Sequence, residues 1–404
     1  MTSRGSDPDG IAGVAAESDV RRVAAELGVA DFVYLPKRVR RGAAEKEISD
    51  GILMCGEHGA ILQVKSRGKS SLPVDDEGAA GRWATRELRV AAKQALWSRK
   101  ELLRRFQNAE PVLLRPVRAL DLPEERHHEL DNELTVSPAI WPLIVVLDHP
   151  LLQPFRAELD DGVFAITRHD WVQLMRALRS VAGLLEYVRR CLEHRGVLDP
   201  EVGREVDRFA ALCAADAGTD DDGPTWGPWL SFAALDDPGA ADMYQHLINR
   251  CWPAGSPLLG VAPGDWRRVS EFLDQVPPSV RVSVGARWRT YAQRTKVGGQ
   301  ASGMTILPDK SIFILLHHEL EQELPPAAMR NRLTAIAQVR WWEVSRFGPR
   351  PLLAIGVFTH PGATDYLFVL IDDPEVPDDR SRTMVEADVG LLQVPDDVGR
   401  LRRA

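Results

Sequence analysis

Cysteine is scarce in this 404-residue chain, and scattered where it occurs. The four residues Cys55, Cys191, Cys213 and Cys251 form no CxxC pair, so a disulfide framework or a zinc finger lacks its ligands. Such usage suits a reducing compartment, and the expected location is cytoplasmic. No run of ~18 apolar residues appears, which leaves no hydropathic candidate for a membrane span. The opening MTSRGSDPDG lacks the apolar segment of a secretory signal and reads as a disordered tail over residues 1–13. A G-x-S-x-G nucleophile elbow and a G-x-x-x-x-G-K-[ST] phosphate loop are both missing, so serine-hydrolase and P-loop chemistry have no support. His127-His128-Glu129 and His317-His318-Glu319 lack the HExxH spacing that puts two imidazoles on one helical face, and both read as ordinary histidine pairs.

What is present is an ordinary soluble composition, 44% hydrophobic and 27% charged, with a net charge of −8. That sum argues against a uniformly basic nucleic-acid binder, but the positive charge is concentrated. One cluster is the run Lys37-Arg38-Val39-Arg40-Arg41. Another lies on a long helix expected from about Arg82 to Phe106. There Ala84, Leu88, Ala91, Ala95, Leu102 and Phe106 share one face, while Arg82, Arg86, Arg89, Lys93 and further basic residues occupy the others. The length favours two domains. The first is expected over 14–120, with a helix at 17–28, a hairpin, the basic helix and a strand near Pro111–Val117. The second, over 121–404, is expected to be a larger α+β domain. Its strands would lie at 141–148, 163–167, 311–320, 352–359 and 366–373, with one long helix at 169–196 and a linker near 215–224. The second part is also rich in tryptophan and carries basic clusters at Arg281–Arg294 and Arg330–Arg340, which could form a second binding surface.

The hairpin in ISDGILMCGEHGAILQVKSR, residues 48–67, carries the chemistry. With GEHG as a four-residue turn, Cys55 would pair with Ala60 and Asp50 would face Lys65. Alternation then projects Asp50, Gln63 and Lys65 from one sheet face. An Asp carboxylate supplies hard oxygen for Mg²⁺ or Mn²⁺. The Gln63 amide and the Val64 carbonyl can add further oxygens, and Lys65 can orient the attacking water or stabilise charge developing on a phosphate. The same spacing also suits a surface ion pair, contributing only ~0–1 kcal/mol.

Asp50, the hairpin and Gln63-x-Lys65, preceded by a helix and followed by a basic helix, resemble the PD-(D/E)XK nuclease superfamily. The glutamine resembles the QxK variant of Mrr-type restriction endonucleases. Glu17-x-x-Val20, Glu47-Ile48-Ser49-Asp50 and Trp83…Lys93-Gln94 further resemble a bacterial two-domain family with a nuclease-like first domain, associated with mobile or defence gene neighbourhoods. The resemblance covers about residues 14–120. It implies an α/β, restriction-endonuclease-like mixed sheet and makes Glu17 a further metal-site carboxylate, ahead of Glu26 and Glu47. It implies a metal-dependent DNA endonuclease, with a role in phage defence. Lys37, Arg38, Arg40, Arg41 and Lys93 would contact DNA phosphates, with RNA an open alternative. Residues 121–404 would serve a protein partner. The competing expectation is a catalytically inactive nuclease-like scaffold that binds nucleic acid or a partner in a multi-component system.

Overall fold

The computed structural model describes residues 8–35, 38–41, 44–67, 77–195, 201–217, 237–250, 263–276, 278–294, 300–306, 312–344, 352–361 and 363–371. The chain divides into two compact units, Met1–Asp236 with Leu273–Ser279, and Asp237–Phe272 with Val280–Ala404.

The first unit begins with α1 (Pro8–Leu27), longer at its N-terminus than the 17–28 helix expected from sequence. Then come β1 (Val33–Tyr34), a small hairpin of β2 (Arg38–Arg41) and β3 (Ala44–Glu47), and the hairpin β4 (Gly51–Cys55) and β5 (His58–Ser66). The basic helix is α2 (Glu77–Gln107), followed by a short β6 (Leu113–Leu114) and β7 (Asn132–Glu133), then β8 (Leu143–Asp148), β9 (Phe155–Arg156) and β10 (Val163–Thr167). Two helices, α3 (Arg168–Leu178) and α4 (Val181–Glu193), precede β11 (Glu201–Val202) and α5 (Glu205–Ala217).

A five-stranded mixed sheet of order β1-β4-β5-β8-β10 organises this unit. β1, β4 and β5 form an antiparallel meander, and α2 crosses over to bring β8 parallel to β5. β10 then adds parallel to β8. The unbroken apolar run Leu143–Leu147 fits this position, because a central parallel strand is covered on both faces. One face packs Ile52, Ile61, Val145 and Ala165 against Ala84, Leu88, Ala91 and Ala95 of α2. Those four residues recur at three- and four-residue steps, the period that presents one helical stripe to a core. Helices α3 and α4 cover the other face, where Phe164 meets Tyr187 edge-on. α1 joins that layer through Trp171, whose indole N–H donates to the Val20 carbonyl at 3.2 Å.

Two strands that the sequence pattern places in the second part, at 141–148 and 163–167, are therefore β8 and β10 of the first sheet. The compact unit extends to Asp236 rather than ending near residue 120. The reason is the crossover: β5 would otherwise be an open edge. The strand expected at Pro111–Val117 shrinks to β6 and a single bridge from Tyr34 to Pro116. The helix expected at 169–196 is broken at Arg179, which takes φ +50°. Ser180 restarts it, its hydroxyl accepting from the Gly183 N–H at 2.8 Å as an N-cap. Most of the expected 215–224 linker lies outside the described residues.

The second unit contains α6 (Pro238–Arg250), most of α7 (Pro263–Gln275) and of α8 (Pro278–Arg294), then β12 (Gln300–Ile306), β13 (Ile312–Glu319), α9 (Pro326–Val344), β14 (Leu352–His360) and β15 (Ala363–Ile371). Its sheet has the order β12-β13-β14-β15. Two antiparallel hairpins are joined by a parallel β13–β14 pair, and α9 makes the crossover. Leu333, Ile336 and Ala337 of α9 pack on Ile314, Leu316, Ala354 and Phe358. Arg281, the first member of one expected basic surface cluster, is instead buried, with its guanidinium over the Tyr244 ring at 5.2 Å. Among the described residues, no helix is long and apolar enough to cross a membrane.

Candidate active site

The hairpin turns more tightly than a four-residue loop would. Gly56 and Glu57 alone connect the strands, and Gly56 adopts φ +58°, a left-handed value that glycine takes without steric cost. Cys55 thus pairs with His58 rather than Ala60. Extending the Gly51–Leu62 pairing by one residue sets Asp50 beside Gln63 rather than Lys65. A slip of two residues preserves the alternation of faces, so Gln63 and Lys65 still share a side of β5.

Asp50 sits just outside β4 and is held at three points. Its N–H donates to the Leu62 carbonyl at 3.2 Å. Its carboxylate Oδ2 accepts the Val64 N–H at 2.7 Å. Its own carbonyl accepts from the Arg21 guanidinium. The Val64 amide points to the side of β5 from which β4 has departed, and the carboxylate fills the vacated acceptor position. In a strand the carbonyl and N–H of one residue face the same neighbour, so the Val64 carbonyl is also directed to the Asp50 side.

Glu17 and Arg21 stand one turn apart on α1 and face this corner together. The Arg21 stem packs over Gly51, where an added Cβ would meet the Arg21 side chain at 3.3 Å. Arg21 is only 9% exposed, and burial lowers its pKa while Glu17, Asp50 and Glu47 oppose that shift. The Glu17 carboxyl is pushed up to about 7, first by burial and then by the negative charge of Asp50; Arg21 and Lys65 pull it down. Burial likewise raises the Asp50 carboxyl, against the Val64 N–H, Lys65 and Arg21. Glu47 adds negative charge to both. Lys65 is half-buried at the end of β5, while Gln63, 4% exposed, sits deeper in the strand.

Glu17, Asp50, Val64 and Lys65 therefore come together at one end of the sheet, and Gln63 is buried on β5 between Leu62 and Val64. Arg21 is the residue that sequence reading missed, although its four-residue step from Glu17 is the signal for a shared face. Arg38, Arg40 and Arg41 belong to β2, which pairs with β3, and Lys37 lies outside the described residues. Lys93 is exposed on α2. His317 and His318 follow one another along β13, both buried. Burial pushes both imidazoles down, His318 to about 4, so neither is a charged surface group near neutrality.

Among the described residues no group of three or more His, Cys, Asp or Glu is arranged to hold a metal ion. The corner offers two carboxylates and a backbone carbonyl, with the Gln63 amide on the adjoining residue of β5 as a further oxygen. That set fits Mg²⁺, which is commonly held by one or two carboxylates together with substrate phosphate rather than by an all-protein cage. The raised pKa values of Glu17 and Asp50 are the electrostatic condition that a bound cation relieves. Comparison with protein-family models, with curated proteins and with solved structures gives no match to this chain.

Proposed function

We propose that the first unit is a metal-dependent nuclease acting on DNA, with the active site at the mouth of the β4–β5 hairpin. The observation that carries this reading is the placement of Asp50 at the hairpin's open end, its carboxylate held by the Val64 N–H next to Lys65 and its carbonyl held by Arg21, with Glu17 one turn from Arg21; burial raises both carboxyls, and Asp50 raises Glu17 further. The order of elements supports it: α1, the β1-β4-β5 meander, α2 and parallel β8 follow the helix, three strands, helix and strand of the PD-(D/E)XK core that the motif resembles.

In this reading Asp50, Glu17 and the Val64 carbonyl would hold Mg²⁺, and Gln63 would serve as a neutral oxygen donor or as a support for Asp50. The ion, when bound, supplies Lewis-acid stabilisation of the phosphate. Lys65 positions the attacking water and offsets charge developing on the phosphoryl oxygens. Arg21 positions Asp50 by holding its peptide carbonyl. The test is incubation of purified protein with supercoiled, linear and single-stranded DNA in Mg²⁺, Mn²⁺ or chelator, beside Lys65→Ala and Asp50→Ala. Cleavage that needs metal and both side chains supports the assignment, and cleavage retained in either variant defeats it.

A second reading, a nuclease-like scaffold without turnover, is favoured by one observation: a neutral, buried Gln63 where a third acidic group would complete the metal site. It requires DNA binding that survives Asp50→Ala and no cleavage with any divalent metal.

A further inference from the structure

We propose that α2 and β9 form a groove for the phosphate backbone of a nucleic acid, next to the candidate active site. Arg82, Arg86 and Arg89 recur at four- and three-residue steps on the exposed side of α2, opposite the buried stripe of Ala84, Leu88 and Ala91. Arg156 faces them from β9 across a groove of about 640 Å³. Four guanidinium groups thus line one concavity, and Arg156 keeps 74% of its side chain exposed. Among the described residues, Glu87 bridges Arg86 at 2.9 Å, and Glu201 lies 3.7 Å from Arg156.

The groove floor admits a backbone. Gly78 and Gly81 line it, and a Cβ added at Gly81 would meet nothing within 4 Å. Thr85 adds a hydroxyl to the lining. From Arg82 to Arg89 the helix rises about 10 Å, about three steps of one strand at 3.4 Å of axial rise each. Guanidinium groups bind phosphate oxygens bidentately, so such a row grips a backbone without reading bases.

Position ties the groove to the candidate site. Trp83, beside Arg82, packs its ring 5.0 Å from that of His149, which directly follows β8. The last residue of β8, Asp148, accepts a hydrogen bond from Ser66 at the end of β5, next to Lys65. The first turns of α2 and the catalytic candidates therefore share one end of the sheet.

This groove deepens the nuclease reading by naming where the substrate backbone lies, and it rests on that reading for its substrate class. Its test reads binding rather than cleavage. A labelled duplex of mixed sequence is titrated with the full chain in Ca²⁺ at several salt concentrations, beside Arg82→Gln/Arg86→Gln/Arg89→Gln and Arg156→Gln. All four side chains are exposed, and circular dichroism checks that each variant is folded. The expected result is a tenfold or greater loss of affinity in the triple variant and a log-log salt slope shallower by about 2.7, from about 0.9 per lost phosphate contact. Arg156→Gln should weaken binding less, in the same direction. Unchanged affinity and slope in the folded triple variant would overturn the groove. So would poly-glutamate displacing the duplex as well as unlabelled DNA does, since the surface would then serve acidic protein. If the triple variant loses binding while wild type cleaves nothing, the groove stands and the nuclease assignment fails.

Discussion

Val64 donates its backbone N–H to the carboxylate of Asp50 at 2.7 Å, so the strand carrying Lys65 also orients the acid that Lys65 faces electrostatically. The hydrogen bond couples the backbone of β5 to the side chain of a residue on the approach to β4. It fixes one carboxylate oxygen and leaves the other to the corner shared with Glu17.

Asp50→Asn keeps an oxygen for the Val64 N–H but removes the charge. It should therefore retain the fold while lowering metal-dependent cleavage by a factor on the order of 10³. Magnesium should raise the melting temperature of wild type, since ligand bound only to the native state adds stability. It should leave Asp50→Asn unmoved. Calorimetric scans with and without Mg²⁺ check this independently of turnover.

Glu17 gives a pH signature. Its folded pKa, about 7, lies above the usual 4.5, so the native state holds the proton more tightly. The associated stability is complete below pH 4.5 and is lost as pH rises through 7. The whole shift would be worth about 3 kcal/mol. Solvent screening at this half-exposed group reduces it to the order of 1 kcal/mol. Metal-free Glu17→Gln should accordingly gain on wild type between pH 5 and pH 8 in urea unfolding. Parallel pH profiles for the two proteins would exclude this origin.

Arg21→Met should cost stability, about 2 kcal/mol, because a charged hydrogen bond to the Asp50 carbonyl is lost and the partly buried carboxylates lose their counter-ion. Denaturant midpoints measure the loss. Arg21→Lys, retaining charge but not the planar fork, should recover part of it.

Gly59→Ala tests the packing at the far end of the hairpin. A Cβ there would lie 2.4 Å from the Trp141 indole, whose side chain is 2% exposed and cannot move into solvent. Overpacking of this kind costs about 1–3 kcal/mol, and a lowered melting temperature with intact far-ultraviolet dichroism is expected.

Local pattern made most of the long strands legible, since Val163–Thr167 and Leu352–His360 are short, largely apolar runs, whereas the more polar β12, Gln300–Ile306, was not anticipated. The site residues were legible because motif spacing survives a register error of two: alternation keeps Gln63 and Lys65 together whichever loop closes the hairpin. Long-range pairing was not legible. Nothing local to Leu143–Asp148 says that it lies beside β5 rather than in a separate domain. The break at Arg179 was equally hidden, because the apolar stripe continues through it and only Ser180 marks a new cap. Arg21 escaped because a single arginine on a helix gives no sign of burial until its neighbours are known.

The parallel seam between β5 and β8 sets an order of events during synthesis. About eighty residues separate Lys65 from its neighbour Leu147, so β5 leaves the ribosome long before its other side can be closed. Until then the strand bearing Gln63 and Lys65 is a bare, apolar edge, the kind that templates wrong pairing. A fragment cut at residue 120 would preserve that immature state permanently, and expression of one ending after Ala217 should be the more soluble of the two.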